Sequence, residues 1–275
     1  MRISFTKMHG LGNDFMVFDA ATNAEVPSNE TFRKLGDRRT GIGFDQALVL
    51  MPPRVAGTDV YYRIFNCDGS EVEQCGNGAR CIASLVGRRL GKRERVQMDS
   101  TGGRVEAILK SDGTVSIDMG VPNFSPTSLP FDASSESNQY SLQVGERTLE
   151  IGAVSMGNPH AVWRVASVEN APVDTVGPLV ENHTRFPNRV NAGFMEVVTR
   201  NHIRLRVWER GVGETLACGT GACAAVAVGR KLGWLDENVN VDLPGGRATV
   251  TWPGLGKDIW LTGPAEVAFE GQVEI

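Results

Sequence analysis

The sequence predicts an α+β fold of two pseudo-symmetric lobes from an internal duplication. Each lobe is a mixed, curved β-sheet around a central helix, and the active site is expected in the cleft between them. Three observations predict this. CGNGARC at 75–81 lies over CGTGAC at 218–223, 143 positions later and one residue shorter. The residues after each copy repeat as well: GRRLG at 87–91 matches GRKLG at 229–233, and DSTGGR at 99–104 matches DLPGGR at 242–247. The third observation is the run of elements, in which valine-rich strands outnumber helices and no regular βαβ alternation shows.

The elements come in chain order. MRISFTKMHG alternates like a strand and lacks the apolar run of a secretory signal. GNDFMV at 12–17 lines up with GNPHAV at 157–162, and RTGIGFDQ at 39–46 with RVNAGFME at 189–196. After each G-x-G turn a helical run is expected, over 78–90 and 221–232. Each closes on arginine or lysine and then Gly91 or Gly233, a normal C-terminal stop. GRVEAIL at 103–109 and GRATVTW at 246–252 read as strands. The Pro- and Ser-rich stretch near 119–130 is the expected hinge, and SSESNQ at 134–139 an exposed loop. Beyond WLTGPAEV the repeat is exhausted, so the C-terminal residues are free to return as a strand to the first half. The expected lobes are therefore 1–119 plus 266–275, and 120–265.

Composition excludes several classes. The 275 residues are 41% hydrophobic and 22% charged, with a net charge of −4. RRLGKRER at 88–95 is a short basic helix end, too local for nucleic-acid binding. The longest small-apolar run, ACAAVAV at 222–228, is far too short to span a bilayer. Five cysteines, an odd number without framework or zinc spacing, fit a reducing cytoplasm and no metal.

Cys75 and Cys218 occupy equivalent positions in a duplicated fold, so they are candidates to stand on opposite sides of one bound molecule. That suits inversion of a carbon centre. A base removes a proton from one face, an acid returns one to the other, and reversal exchanges the roles, so the two groups should be chemically alike. Each thiol precedes a helix N-terminus, where positive potential lowers a thiol pKa from its usual value of about 8.5. The glycine turns (Gly76, Gly78, Gly219 and Gly221) leave backbone N–H groups open to a carboxylate. Cys81 and Cys223, deeper in each helix, read as packing residues, and Cys67, without a counterpart, as structural. Neither turn carries a Walker lysine or a dinucleotide fingerprint.

KMHGLGNDF (7–15), CGNGARC (75–81), SMGNPHAV (155–162), PNRVNAG (187–193), WERGVGET (208–215) and ACGTGACA (217–224) together resemble the diaminopimelate epimerase family across nearly the whole chain. The resemblance implies epimerisation of LL-diaminopimelate to the meso isomer, in lysine and peptidoglycan biosynthesis. It implies no cofactor, and often a homodimer. It makes Cys75 and Cys218 the catalytic pair, with His160 and Glu209 tuning the thiols. It makes Asn13, Gln46, Asn66, Asn158, Asn191 and Arg210 substrate-binding, and the Gly76-Asn77 and Gly219-Thr220 turns the seat of the reacting carboxylate. A guanidinium such as Arg210 can grip the distal carboxylate bidentately. Asn66 falls opposite Glu209 at the same 143 offset, so the pseudo-symmetry breaks where an asymmetric substrate needs it. The competing readings are a proline-racemase-like enzyme, a sugar or amino-acid binding protein with incidental thiols, and a thiol redox protein.

Overall fold

The computed structural model describes residues 2–20, 26–72, 75–91 and 93–274. The chain divides into two compact units, residues 1–118 with 262–275, and residues 119–261.

In the first unit β1 (Arg2–Gly10) and β2 (Asn13–Asp19) form an antiparallel hairpin. Helix α1 (Asn29–Gly36) then crosses to β3 (Gln46–Met51), which runs parallel to β2 and antiparallel to β4 (Val60–Asn66). After the short β5 (Glu71–Val72), helix α2 (Gly76–Arg89) crosses to β6 (Arg95–Ser100), parallel to β4. The antiparallel strands β7 (Gly103–Leu109) and β8 (Val115–Asp118) come next.

The second unit repeats this plan. It starts with β9 (Tyr140–Val144), β10 (Arg147–Ser155) and β11 (Pro159–Arg164). Helix α3 (Val173–Glu181) leads to β12 (Asn191–Thr199), parallel to β11, and then to β13 (His202–Glu209) and β14 (Gly213–Thr215). Helix α4 (Gly219–Lys231) crosses to β15 (Asn238–Leu243), parallel to β13, succeeded by β16 (Gly246–Thr251) and β17 (Trp260–Gly263). The C-terminal β18 (Glu266–Glu274) pairs with β1, as β9 pairs with β10.

The α+β class stands, with two corrections. Each unit contains two parallel strand pairs joined through helices, so βαβ crossovers are present although the sequence shows no regular alternation. The reason is that β2 and β3 are buried on both faces and read as unbroken apolar runs rather than alternating ones. The second correction concerns the repeat. Phe15 pairs with Gln46 in β2–β3, and His160 pairs with Asn191 in β11–β12. Structurally, Gln46 therefore answers to Asn191, and the match of 39–46 with 189–196 is five residues out of register.

Each sheet has a helix on both faces. Met16, Phe18, Ala47 and Val49 face α1, where Phe32 and Leu35 fill the same core and Phe32 stacks on Phe65 with ring centroids 4.7 Å apart. An eight-residue helix is marginal alone. Burying one phenylalanine is worth about 1.5–3 kcal/mol, so this packing, with the Ser28 cap on Thr31 N–H, holds α1 in place. The opposite face curves around α2, which packs against β1, β2, β3, β6, β7 and β8. In the second unit Val173, Val176 and Val180 of α3 join Phe131, Phe186 and Phe194 in the outer core. The other face holds α4 so closely that a methyl group at Gly152 would overlap Val228. The sequence anticipates α2 and α4 but neither α1 nor α3. In the basic run 88–95, Arg89, Arg93 and Arg95 pair with Asp19, Asp59 and Glu106, while Lys92 lies outside the described residues.

Candidate active site

Cys75 and Cys218 are the N-cap residues of α2 and α4, both with extended backbone (φ −148° and −113°). The helices begin at Gly76 and Gly219, two residues earlier than the sequence expectation. The first-turn N–H groups of a helix have no acceptor within it, so the G-x-G turns present donors beside each thiol.

In the first unit the topology brings Asn13, Gln46 and Asn66 to one end of the sheet. They are the first residues of the parallel strands β2 and β3 and the last residue of β4. The Cys75 Sγ lies 3.7 Å from Asn13 Oδ1 and accepts from Gly78 N–H at 3.4 Å. Asn77 Nδ2 donates to the same Asn13 Oδ1 at 3.3 Å. Beside them Gln46 Nε2 donates to Asn66 Oδ1 at 3.0 Å, and Asn66 Nδ2 to Ser70 Oγ at 3.1 Å. Gln46 Oε1 is buried with no partner among the described residues. A buried acceptor left so is costly.

In the second unit the same sheet end carries Asn158, His160, Asn191 and Glu209. Cys218 is 4% exposed. Burial pushes its thiol well above the ordinary range, and the neighbouring Glu209 charge pushes it further, against the Thr220 hydroxyl and Gly221 N–H. Burial raises Glu209 in turn, opposed by donation from Thr215 and Cys218. The Thr215 hydroxyl reaches Glu209 Oε1 at 2.5 Å.

His160 is 1% exposed, and burial lowers its pKa to about 3, helped by the Arg210 charge. It is a neutral imidazole near pH 7. Its Nε2 meets Asn158 Oδ1 at 3.0 Å, Asn158 Nδ2 reaches Thr220 Oγ1 at 3.3 Å, and Thr220 Oγ1 lies 3.6 Å from Cys218 Sγ. His160 thus connects to Cys218 through two intervening side chains. Asn191 is fastened to backbone: its Oδ1 accepts from Arg210 N–H at 2.8 Å, and its Nδ2 donates to Pro159 O at 3.0 Å. The exposed Arg210 guanidinium donates to Asn188 O at 3.2 Å. Glu181 of α3 accepts from Trp208 Nε1 at 2.7 Å and Gly211 N–H at 2.8 Å, which secures the turn that carries Glu209 and Arg210.

Among the residues of these networks that escape the sequence reading are Thr215, Asp45, which accepts from Asn13 Nδ2 at 2.8 Å, and Arg80, which donates to Asn77 Oδ1 at 2.7 Å. A signal for Arg80 exists, since it has no counterpart in the shorter second copy. Cys81 and Cys223 are fully buried, and burial lifts Cys81 to about 12, as a packing thiol should be. Among the described residues no three His, Cys, Asp or Glu side chains cluster as metal ligands, and no helix is long and apolar enough to cross a membrane.

The fold is shared with a hydroxyproline epimerase from Agrobacterium vitis, solved with bound trans-4-OH-L-proline. The likeness has a TM-score of 0.71 and 16% identity, and covers 99% of this chain and 92% of that one. Curated relatives are much nearer. A diaminopimelate epimerase from Alkalilimnicola ehrlichii is 53% identical over 279 residues, and one from Stutzerimonas stutzeri 52% identical over 276, each covering the whole of both chains. Fold and relatives together define an isomerase, an amino-acid epimerase. The family description "Diaminopimelate epimerase" matches residues 5–125 and 152–268. The chain belongs to the diaminopimelate epimerase family.

Proposed function

We propose that this chain inverts one α-centre of diaminopimelate, LL to meso, by moving the α-proton between Cys75 and Cys218. The step serves lysine and peptidoglycan-precursor biosynthesis. The observation that supports this most directly is the thiol at the N-cap of each of two equivalent helices, each entering through a G-x-G turn.

In this reading the thiols stand on opposite faces of the α-carbon. One, as thiolate, takes the proton, and the other, as thiol, supplies one to the opposite face. Run in reverse, they exchange roles. Glu209 accepts the Cys218 proton when that thiol must become the base, and neutral His160 holds Asn158 and Thr220 beside it. The reacting carboxylate sits on the N–H groups of Gly76-Asn77 and Gly219-Thr220, which also stabilise the charge that develops as the α-proton leaves. Asn13 and Asn158 flank it. Gln46, with its unfilled acceptor, and Asn66 suit an ammonium, while Arg210, its backbone fixed by Asn191, suits the distal carboxylate. The thiol pair performs the transfer itself, so the chemistry calls for no cofactor or metal. The reading extends to a homodimer in the cytoplasm, and sedimentation at several concentrations checks the dimer.

Solvent exchange tests the proposal. Protein stripped of metal and pyridoxal phosphate is incubated with LL-diaminopimelate in D₂O, and α-deuterium and meso product are tracked by NMR. Deuterium at the inverted centre, with epimerisation lost in Cys75→Ala and in Cys218→Ala, is the expected result. Exchange with proline or hydroxyproline instead would keep the chemistry and overturn the substrate. Activity retained in either variant would end the two-thiol mechanism.

A further inference from the structure

Asp45, Asn13, Asn77 and Arg80 form one continuous hydrogen-bonded chain. Arg80 Nη2 donates to Asn77 Oδ1 at 2.7 Å, Asn77 Nδ2 to Asn13 Oδ1 at 3.3 Å, and Asn13 Nδ2 to Asp45 Oδ2 at 2.8 Å. Its two ends are single-role ions. A guanidinium only donates and a carboxylate only accepts. Both amides between them are therefore locked in one orientation, because turning either one over would set donor against donor or acceptor against acceptor. The ends are themselves fixed. Arg80 is fully buried, in a slot where a methyl group on Gly10 or Gly263 would lie 3.3 Å from its guanidinium. It also donates from Nε to Pro264 O at 3.3 Å. Asp45 accepts from Asp14 N–H and from Arg38, which bridges to Asp14 as well, and Lys7 closes that cluster on Asp14.

We infer that Asp45 and Arg80 are positioning residues for Cys75: together they hold the carbonyl of Asn13, and not its NH2 group, toward the thiol. An amide oxygen at that point accepts from S–H and favours the thiol, whereas an NH2 group would favour the thiolate. The second unit lacks this device. Asn158, the counterpart of Asn13, lies between His160 and Thr220, both of which can donate or accept, so among the described residues no single-role partner fixes its polarity. Val190 stands where the register puts the counterpart of Asp45, and Arg80 falls at the one-residue deletion. Cys218 has Glu209 instead, where the first unit has Asn66. The two thiols of one duplicated motif are thus poised by different means, one by a locked amide and one by a carboxylate. The inference rests on reading Cys75 as a proton-transfer group.

The test is a double-mutant cycle on free enzyme, with the pH profile of Cys75 alkylation by iodoacetamide measured peptide by peptide in a mass spectrometer. Among the described residues, the ionisable groups coupled to Cys75 include Tyr62 from β4 and Cys81 from α2, both pushed by burial to about 12 and so neutral throughout. Asp99 stands behind Tyr62, Arg80 lies on α2, and the Asp45, Asp14, Arg38 and Lys7 cluster stands behind Asn13. Asp45→Asn is nearly isosteric, at a side chain 44% exposed, and leaves Arg38 its pairing with Asp14. It removes the acceptor-only end, so that the Asn13 amide can turn over at the loss of the 3.3 Å contact with Asn77 alone. The expected result is that Asp45→Asn moves the alkylation midpoint down by about one pH unit more when Asn13 is present than in an Asn13→Ala background. Equal movement in both backgrounds, zero included, would overturn the inference, because it would leave only a charge effect that bypasses Asn13. The readout needs no substrate. Epimerase activity retained in Cys75→Ala would end the two-thiol reading without altering the alkylation cycle, so the two failures are separable.

Discussion

Glu209 and Cys218 form a buried pair with opposite effects on each other: the Glu209 charge raises the Cys218 thiol, while Cys218 holds the Glu209 carboxyl down. Burial, which raises both, is the larger cause for each. A thiol held this high is a poor base at rest, so in the proposed mechanism an acceptor for its proton decides how often thiolate forms. Glu209→Gln keeps the shape and the Thr215 contact but removes the proton acceptor. The expected loss in kcat is about 10²-fold, typical of removing a general base, with KM little changed. The sign for stability runs the other way. A carboxyl whose folded pKa is raised stabilises the fold below its unfolded pKa of 4.5, and that contribution is lost as pH rises through the folded value. Glu209→Gln should therefore melt higher than wild type at pH 8 and no higher at pH 4. Thermal melts at the two pH values check this.

His160 offers a second check on which groups ionise. Its pKa falls from 6.5 to about 3, chiefly through burial. The group contributes stability that is present above 6.5 and lost as pH falls from there toward 3, because the unfolded chain takes up a proton that the folded one refuses. In His160→Gln the loss of stability between pH 6.5 and 4 should be shallower than in wild type. The His160 ring resonances should stay at neutral positions from pH 5 to 8, and a ring that titrates near 6.5 would refute the neutral assignment.

What was legible in the sequence is uneven, and the unevenness has physical reasons. The thiol turns stand out because duplication wrote them twice, and each helix stop carries a glycine at positive φ, Gly91 and Gly233. Helix α1 is only eight residues long, and α3 contains Gly177 and Pro178, so local propensity speaks against both. Their apolar residues meet a sheet face that only the tertiary fold supplies. Asp45 and Arg80 are single residues without periodicity, and they are linked, through Asn13 and Asn77, only after β3 aligns parallel to β2. Asn191 is the opposite case. The resemblance makes it a substrate ligand, yet its Oδ1 and Nδ2 fasten the Arg210 N–H and the Pro159 carbonyl. Asn191→Ala should accordingly loosen the Arg210 turn and raise KM for diaminopimelate more than it lowers kcat.

Packing at the second thiol's helix is tight enough to test by one methyl group. Gly152 of β10 lies against Val228 of α4, a β-branched side chain with little freedom to move aside. Gly152→Ala forces helix and strand apart, and overpacking of this kind costs about 1–3 kcal/mol. Urea unfolding should show the midpoint falling with an unchanged slope. Gly152→Ala combined with Val228→Ala should recover part of that loss, since the second change removes the overlapping methyls. If the double variant is no better than the sum of the two singles, the contact is not what sets the cost.

The proposed transfer of one proton between Cys75 and Cys218 requires both sulfurs to approach a single carbon from opposite sides. Two thiols with that reach can also meet directly when no substrate separates them, since a disulfide needs Cα atoms within roughly 4.4–6.8 Å. Mild oxidation of the substrate-free protein should therefore join Cys75 to Cys218 and abolish activity. A reductant should restore it, and bound diaminopimelate should protect by occupying the space between the sulfurs. Peptide mapping identifies the linkage. Cys81 and Cys223, both fully buried, should stay reduced, which separates a specific closure from general oxidation. Full activity after complete oxidation, with both reactive thiols capped singly, would mean that neither sulfur carries the proton, and the two-thiol mechanism would fall.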